Sequence, residues 1–341
     1  MEKDKLKTKQ KFLKTLLPIV ISVFLFLLGL ILGLNLHTFS QETLSTEFRL
    51  SRNYKFTNPL LDCEVDQDIG KKGYNLSIQK IKELINKKIN NNEISYASVY
   101  FRDLNNGPWY GINEKEPFLP ASLLKVPMMI SLLSKIESDP SFVNKEIIFE
   151  KEFETNTIQN FVPKQQLMIG QKYTIFDLIY RMIVYSDNQS TNLLTENIDQ
   201  SMMEKVTKDL NIEYLPGNDF LNYISVKSYA TFFRVLYNSS YLNRASSEKA
   251  LKILSEVTYN KGILQGVPVS TVVAHKFGER EILGQERTKQ LHDCGIIYYP
   301  GHPYILCIMT RGQDWNNLSK VIGEISKEIY TDIDRKAHEN N

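Results

Sequence analysis

The chain has 341 residues, 42% hydrophobic and 23% charged, the balance of a globular protein rather than a disordered one. Its formal charge is +2, but residues 1–15 carry six lysines against Glu2 and Asp4, which leaves the remainder at about −2. The part that folds has no basic excess, so no nucleic-acid partner is expected.

From Leu16 to Leu36 the chain is apolar apart from Pro18, Ser22, two glycines and Asn35. Coiled as a helix this run is roughly 31 Å long, about the thickness of a bilayer core, and a transmembrane anchor is expected over 16–36. The preceding lysines put the tail, 1–15, in the cytoplasm and everything after the anchor outside the membrane. A cleaved signal peptide is the alternative, but the run is long for one and no small-x-small cleavage site follows it. Residues 37–74 are polar and aperiodic and read as an extracytoplasmic linker, unless part of them packs on the domain. The folded domain is expected over 75–335, as a monomer on the outer side of a bacterial cell membrane.

Ile78, Ile81, Leu84, Ile85 and Ile89 recur at helical spacing. Ile94–Asp103 is rich in β-formers, Asn105-Asn106-Gly107 signals a hairpin, and Pro108–Ile112 returns as a second strand. A helix then runs from near Ser122 to about Glu137, because Pro127 is tolerated only close to a helix start. Residues 146–173 show no regular pattern. Thr174 and Asp177 make a capping pair for a helix with an Ile175, Leu178, Ile179, Met182, Ile183 stripe. That helix ends at Tyr185–Asn188, and a short helix, Ser190–Ile198, follows. Further helical patterns cover Met202–Leu210, Val226–Tyr237 and Ser246–Val257. Val267–His275, Gln290–Tyr299 and Tyr304–Thr310 read as strands, and Leu318, Val321, Ile322, Ile325 and Ile329 line a last helix. Strands at both ends around a helical middle predict an α+β fold: one antiparallel sheet flanked by helices, plus an all-α lobe, with a cleft between them.

Cys63, Cys294 and Cys307 match no metal spacing, and the five histidines are scattered, so neither a metal nor a cofactor is expected. Cys294 and Cys307 fall in neighbouring strands, where they can be core residues or a bridge.

Three short motifs occur in order: Ser122-Leu-Leu-Lys125, Ser186-Asp187-Asn188 and Lys276-Phe277-Gly278. Serine and lysine three residues apart on a helix face the same way. A serine hydroxyl needs a base, and a lysine amine becomes one when burial lowers its pKa. Ser-x-x-Lys, Ser-Asp-Asn and Lys-Thr-Gly are the signature of class A β-lactamases and penicillin-binding proteins, and this sequence resembles that superfamily over roughly 75–335. A Gly111-Ile-Asn stretch, Pro117-Phe and Asn192-Leu-Leu add to the likeness.

The resemblance implies a β-lactamase/transpeptidase-like fold and an acyl-transfer site. Ser122 attacks an amide carbonyl, Lys125 takes its proton, and Ser186 relays a proton to the leaving nitrogen. Asn188 orients Lys125 and the substrate, Lys276 supplies positive charge, and Gly278 lets substrate lie along the strand. The backbone N–H groups of Ser122 and Glu279 form the oxyanion hole. The substrates implied are a small-molecule β-lactam or a related acyl-D-amino-acid amide. The alternatives are a D-Ala-D-Ala peptidase acting on peptidoglycan stem peptides, or a catalytically weak peptidoglycan-binding module.

The sequence departs from the family pattern twice. Phe277 stands where the third motif usually has a hydroxyl, leaving Arg280 or Arg287 as other donors for a substrate carboxylate. The segment Asn211–Ser225 has no Glu-x-x-x-Asn pattern, so the glutamate that activates the deacylating water is not found. Glu213 and Asp219 are the only acids there, and neither matches it. Efficient β-lactam turnover is therefore doubtful.

Overall fold

A computed structural model describes residues 55–57, 73–105, 107–154, 159–163, 165–199, 201–212, 215–216, 222–282 and 288–339. The expected anchor, Leu16–Leu36, lies outside these residues. Among the described residues no helix is long and apolar enough to cross a membrane.

Helix α1 (Asn75–Asn90) precedes a hairpin of β1 (Tyr96–Asp103) and β2 (Trp109–Ile112). Gly107 closes its turn with φ +80°, a conformation that a β-carbon opposes. A 3₁₀ turn, Ala121–Leu124, leads into α2 (Lys125–Ser138). Next come β3 (Glu146–Ile148), β4 (Lys172–Thr174), α3 (Ile175–Val184), α4 (Asn188–Asn197) and α5 (Ser201–Asp209). After β5 (Leu215–Pro216) and β6 (Asn222–Tyr223), α6 (Val226–Tyr237) and α7 (Arg244–Leu254) complete the helical lobe. The chain then runs through β7 (Val273–Ile282), β8 (Thr288–Ile297), β9 (Tyr304–Gly312) and α8 (Trp315–Glu339).

Five strands form one antiparallel sheet in the order β2-β1-β9-β8-β7. Strand β9 joins the two ends of the domain, in register from Tyr96↔Arg311 to Asp103↔Tyr304. Helices α1 and α8 cover one face, where Ile81, Leu318, Ile322 and Ile325 meet Phe101 and Ile308. The helical lobe covers the other, against Tyr100, Cys307 and Met309. With both faces covered, β1 and β9 are buried almost throughout instead of alternating.

The α+β architecture is as expected, with three local differences. The strand expected at Val267–His275 starts only at Val273, because Pro268 opens a turn closed by Thr271 N–H on its carbonyl (2.9 Å). The segment 146–173 holds β3, which pairs with β4 in a ribbon too short to show a period. Part of the expected linker packs on the domain. Phe56 is buried edge-on to Tyr298, and the Glu248 carboxylate accepts the N–H groups of Lys55, Phe56 and Thr57 at 2.7–3.0 Å.

Cys294 and Cys307, paired across β8 and β9, form a disulfide within the core. It staples a separation of 13 residues, so replacing both cysteines with alanine is expected to cost about 3 kcal/mol in urea-unfolding stability.

Candidate active site

The three motifs converge where α2, the α3–α4 junction and the edge strand β7 meet. Ser122 lies in the 3₁₀ turn one helical turn before the body of α2, and its side chain is partly exposed. Lys125, the first residue of α2, is buried. Between α3 and α4, Asp187 caps α4 by accepting the N–H groups of Gln189 (3.0 Å) and Ser190 (3.1 Å). Ser186 just before it takes φ +54°, a left-handed conformation unusual for serine. That conformation goes with a carbonyl and a hydroxyl both directed at Lys125.

The Lys125 ammonium donates to Ser186 O (2.6 Å), Ser186 Oγ (3.3 Å) and Asn188 Oδ1 (2.8 Å). Lys276 donates to the same Ser186 Oγ (2.9 Å) and to the carbonyl of Phe277 (2.8 Å). Ser186 thus bridges two amines. Burial pulls the Lys125 pKa down to about 7, against the opposing pull of Asp187 and Glu279. Burial, and then Lys125 itself, pushes Lys276 well below the usual lysine range. Lys125 is therefore poised to accept a proton near neutral pH.

The nucleophile turn is fixed from all sides. Phe118 exchanges backbone hydrogen bonds with Ile224 (2.9 and 3.0 Å). Leu119 N–H donates to Gln290 Oε1 (3.1 Å), and His292 Nε2 donates to Leu119 O (2.9 Å). Burial lowers the His292 pKa to about 3, so it works as a neutral donor. Tyr229 OH donates to Leu123 O (2.9 Å). These ties hold Ala121 at φ +49°, a strained value for a residue with a β-carbon.

Gly278 has a packing task in the fold. A β-carbon there would sit 2.9 Å from Pro120 O and 3.1 Å from Leu123 N, so the glycine lets β7 lie flush against the nucleophile turn. Glu279 brings a side chain as well as a backbone group: its carboxylate accepts the Phe161 N–H (2.8 Å). Burial raises its pKa against the pull of that bond and of Lys276. Residues 159–163 thus cross from the second motif, where Gln159 Nε2 reaches Ser186 O (3.4 Å), to the third.

The structure brings together Lys125, Ser186, Asn188 and Lys276, with Ser122 and Gly278 on apposed backbones. Glu213, Asp219 and Arg287 lie outside the described residues. Sequence reasoning missed Gln290, His292, Tyr229 and Phe161, which act through backbone atoms or a distant strand and carry no motif. The one available signal was a polar pair, Gln290 and His292, two residues apart and so on a single face of β8.

A serine beside a buried, near-neutral lysine in a cleft between a sheet and a helical lobe defines a serine hydrolase acting on amide bonds. The model of the beta-lactamase enzyme family matches residues 78–333, and the chain belongs to that family. Solved structures share the fold at low identity. A beta-lactamase from Chitinophaga pinensis is 20% identical with a TM-score of 0.65, covering 75% of this chain and 98% of that one. PBP-A is 19% identical with a TM-score of 0.63, over 76% and 96%. A class A beta-lactamase from Mycobacterium abscessus is 19% identical with a TM-score of 0.62, over 75% and 98%. No curated protein sequence is detectably similar to the chain.

Two outcomes follow from this geometry. Gly278→Ala is expected to lose about 1–3 kcal/mol in thermal unfolding, because the new methyl would press on the Pro120 carbonyl, the Leu123 backbone and the branch point of the buried Leu123 side chain. With Lys125 as the expected proton acceptor and its pKa near 7, the rate of Ser122 acylation should climb about tenfold per unit as pH rises toward 7 and level off above it. A stopped-flow pH profile measures this, and a rate that falls over that range would exclude Lys125 as the base.

Proposed function

We propose that this protein is a membrane-anchored, class A β-lactamase-like serine hydrolase acylated at Ser122 by β-lactams or related acyl-D-amino-acid amides. One observation carries the reading: Lys125 is held by Ser186 and Asn188 one helical turn from Ser122, with its amine near neutrality. The neutral amine takes the Oγ proton as Oγ bonds to the amide carbon. The tetrahedral oxyanion is stabilised by the backbone N–H groups of Ser122 and Glu279. As the C–N bond breaks, the proton passes from Lys125 through the Ser186 hydroxyl, which accepts and donates, to the leaving nitrogen. Water then cleaves the ester, returning the proton to Ser122.

The last step is expected to be slow. Among the described residues the carboxylates coupled to Lys125 are Asp187 and Glu279. Asp187 caps α4 and Glu279 holds Phe161, so neither is free to activate water. That favours a second reading, a penicillin-binding-type D-Ala-D-Ala peptidase, and a variant of PBP-A is known as an acyl-enzyme complex with penicillin G. The apolar run Leu16–Leu36 and the lysines before it support an anchor with the domain outside the cell membrane.

Intact-mass spectrometry of the full-length chain with excess penicillin tests the proposal. An adduct is expected on the native protein and none on Ser122→Ala, which should fold equally well. A long-lived adduct supports the peptidase, and accumulating hydrolysed penicillin supports the β-lactamase. Adduct formation that survives in Ser122→Ala would overturn the nucleophile assignment. No acyl adduct and no hydrolysis would favour another substrate or the peptidoglycan-binding module.

A further inference from the structure

Strand β7 is an edge strand, and its pairing with β8 runs without a bulge from Val273↔Ile297 to Ile282↔Thr288. Side chains therefore alternate along it, and Lys276, Gly278 and Arg280 share one face. That face looks onto the nucleophile turn. Lys276 reaches Ser186 Oγ (2.9 Å), and a β-carbon on Gly278 would press on Pro120 O. Opposite Arg280 on β8 is Gln290, whose side chain accepts the N–H of Leu119 (3.1 Å). Arg280 is the next residue on this face after Gly278, about 7 Å further along the strand. It lies level with the residues that lead into Ser122.

The order of groups along β7 orients an acyl donor. In the acyl transfer proposed above, the leaving nitrogen meets Ser186, at the Lys276 end of this face. The carbonyl oxygen meets the backbone N–H of Glu279. The acyl side chain, on the other side of the carbonyl carbon, then runs past Glu279 toward Arg280. A carboxylate on the leaving side therefore falls at the opposite end of the site from this arginine.

Arg280 is partly exposed, and among the described residues it makes no hydrogen bond or ion pair. Its acidic neighbours in the chain, Glu279 and Glu281, fall on the other face of the strand by alternation. The Glu279 carboxylate is already engaged by the Phe161 N–H (2.8 Å). A guanidinium keeps its charge at any working pH and offers a planar fork of donors that matches a carboxylate. A neutral acyl side chain gives that fork nothing to pair with, and an ammonium repels it.

We propose that Arg280 selects acyl donors that carry a carboxylate on the acyl side of the scissile bond. The substrate class is an amide or lactam with an acidic acyl portion, and no restriction is placed on its leaving side. This inference rests on the reading of Ser122 as the acylated nucleophile. Its bond changes are those of that step: Oγ–C forms, C–N breaks, and the Oγ proton ends on the leaving nitrogen.

Three penicillins that differ at one carbon of the acyl side chain test it: benzylpenicillin with hydrogen there, carbenicillin with a carboxylate and ampicillin with an ammonium. The rate of Ser122 acylation on the full-length chain is followed by intact mass at limiting penicillin. Carbenicillin and ampicillin are close in size, so their ratio reports charge. Carbenicillin is expected to react roughly fivefold faster than ampicillin, the scale of a partly exposed charge pair, and added salt should narrow the gap. Arg280→Lys is expected to keep the preference, Arg280→Gln to abolish it and Arg280→Glu to reverse it. Equal or reversed rates in the native protein overturn the proposal. A preference that persists in Arg280→Gln also overturns it, by placing the cation elsewhere. The native ratio and its salt dependence decide the matter even if a variant fails to fold. No adduct from any of the three penicillins, benzylpenicillin included, overturns the acyl-transfer reading itself and this inference with it.

Discussion

Two lysine amines in one dry cleft set the terms for this molecule. An amine removed from water must lose its proton or have its hydrogens accepted, and here both happen. Ser186 meets much of that demand, giving a carbonyl and a hydroxyl to Lys125 and the same hydroxyl to Lys276. It does so from a left-handed backbone at the start of an Asp187-capped helix. The second motif is thus a backbone device as much as a set of side chains. Its strain is tolerated because the cap of α4 and the core of the helical lobe hold both sides of the junction.

The nucleophile turn is governed by a related constraint. Ser122 must stay accessible while the residues around it are locked. The locking falls to backbone atoms of Phe118, Leu119 and Leu123, bound by Ile224, Gln290, His292 and Tyr229. Gly278 completes the arrangement by letting β7 approach within van der Waals distance. The sheet therefore supplies the floor of the site through β8 and, through β7, its wall and Lys276, while the helical lobe supplies Lys125, Ser186 and Asn188. Phe277 links site and core, since its carbonyl satisfies Lys276 while its ring stacks on Tyr259.

Much of the fold was legible in the chain. The Asn105-Asn106-Gly107 turn, the Thr174–Asp177 capping box and the stripe of the last helix are local signals, each written within a few residues, and the observed elements carry them. The strand expected at Val267–His275 slipped by several residues, because its β-branched composition does not distinguish a turn region from a paired strand. Pairing with β8 decided that boundary. The β3–β4 ribbon escaped for a similar reason: two strands of three residues are specified by their contact, not by a period. Phe56 lay in a segment that reads as linker, and only the Glu248 carboxylate and the Tyr298 ring on the domain made it part of the core.

The sequence by itself determined the order and chemistry of Ser122, Lys125, Ser186, Asn188 and Lys276, because hydroxyl, amine and amide groups are fixed by residue type. It also determined the α+β class, because apolar periodicity follows from which face of each element must leave water. Tertiary structure alone decided the state of those groups. The near-neutral pKa of Lys125 comes from burial beneath elements far away in the chain. The work of Gly278 depends on the atoms of Pro120 and Leu123 beside it. The burial of Phe277 depends on rings brought from Phe161 and Tyr259. Desolvation and close packing are properties of a neighbourhood, and no single stretch of chain contains its neighbours.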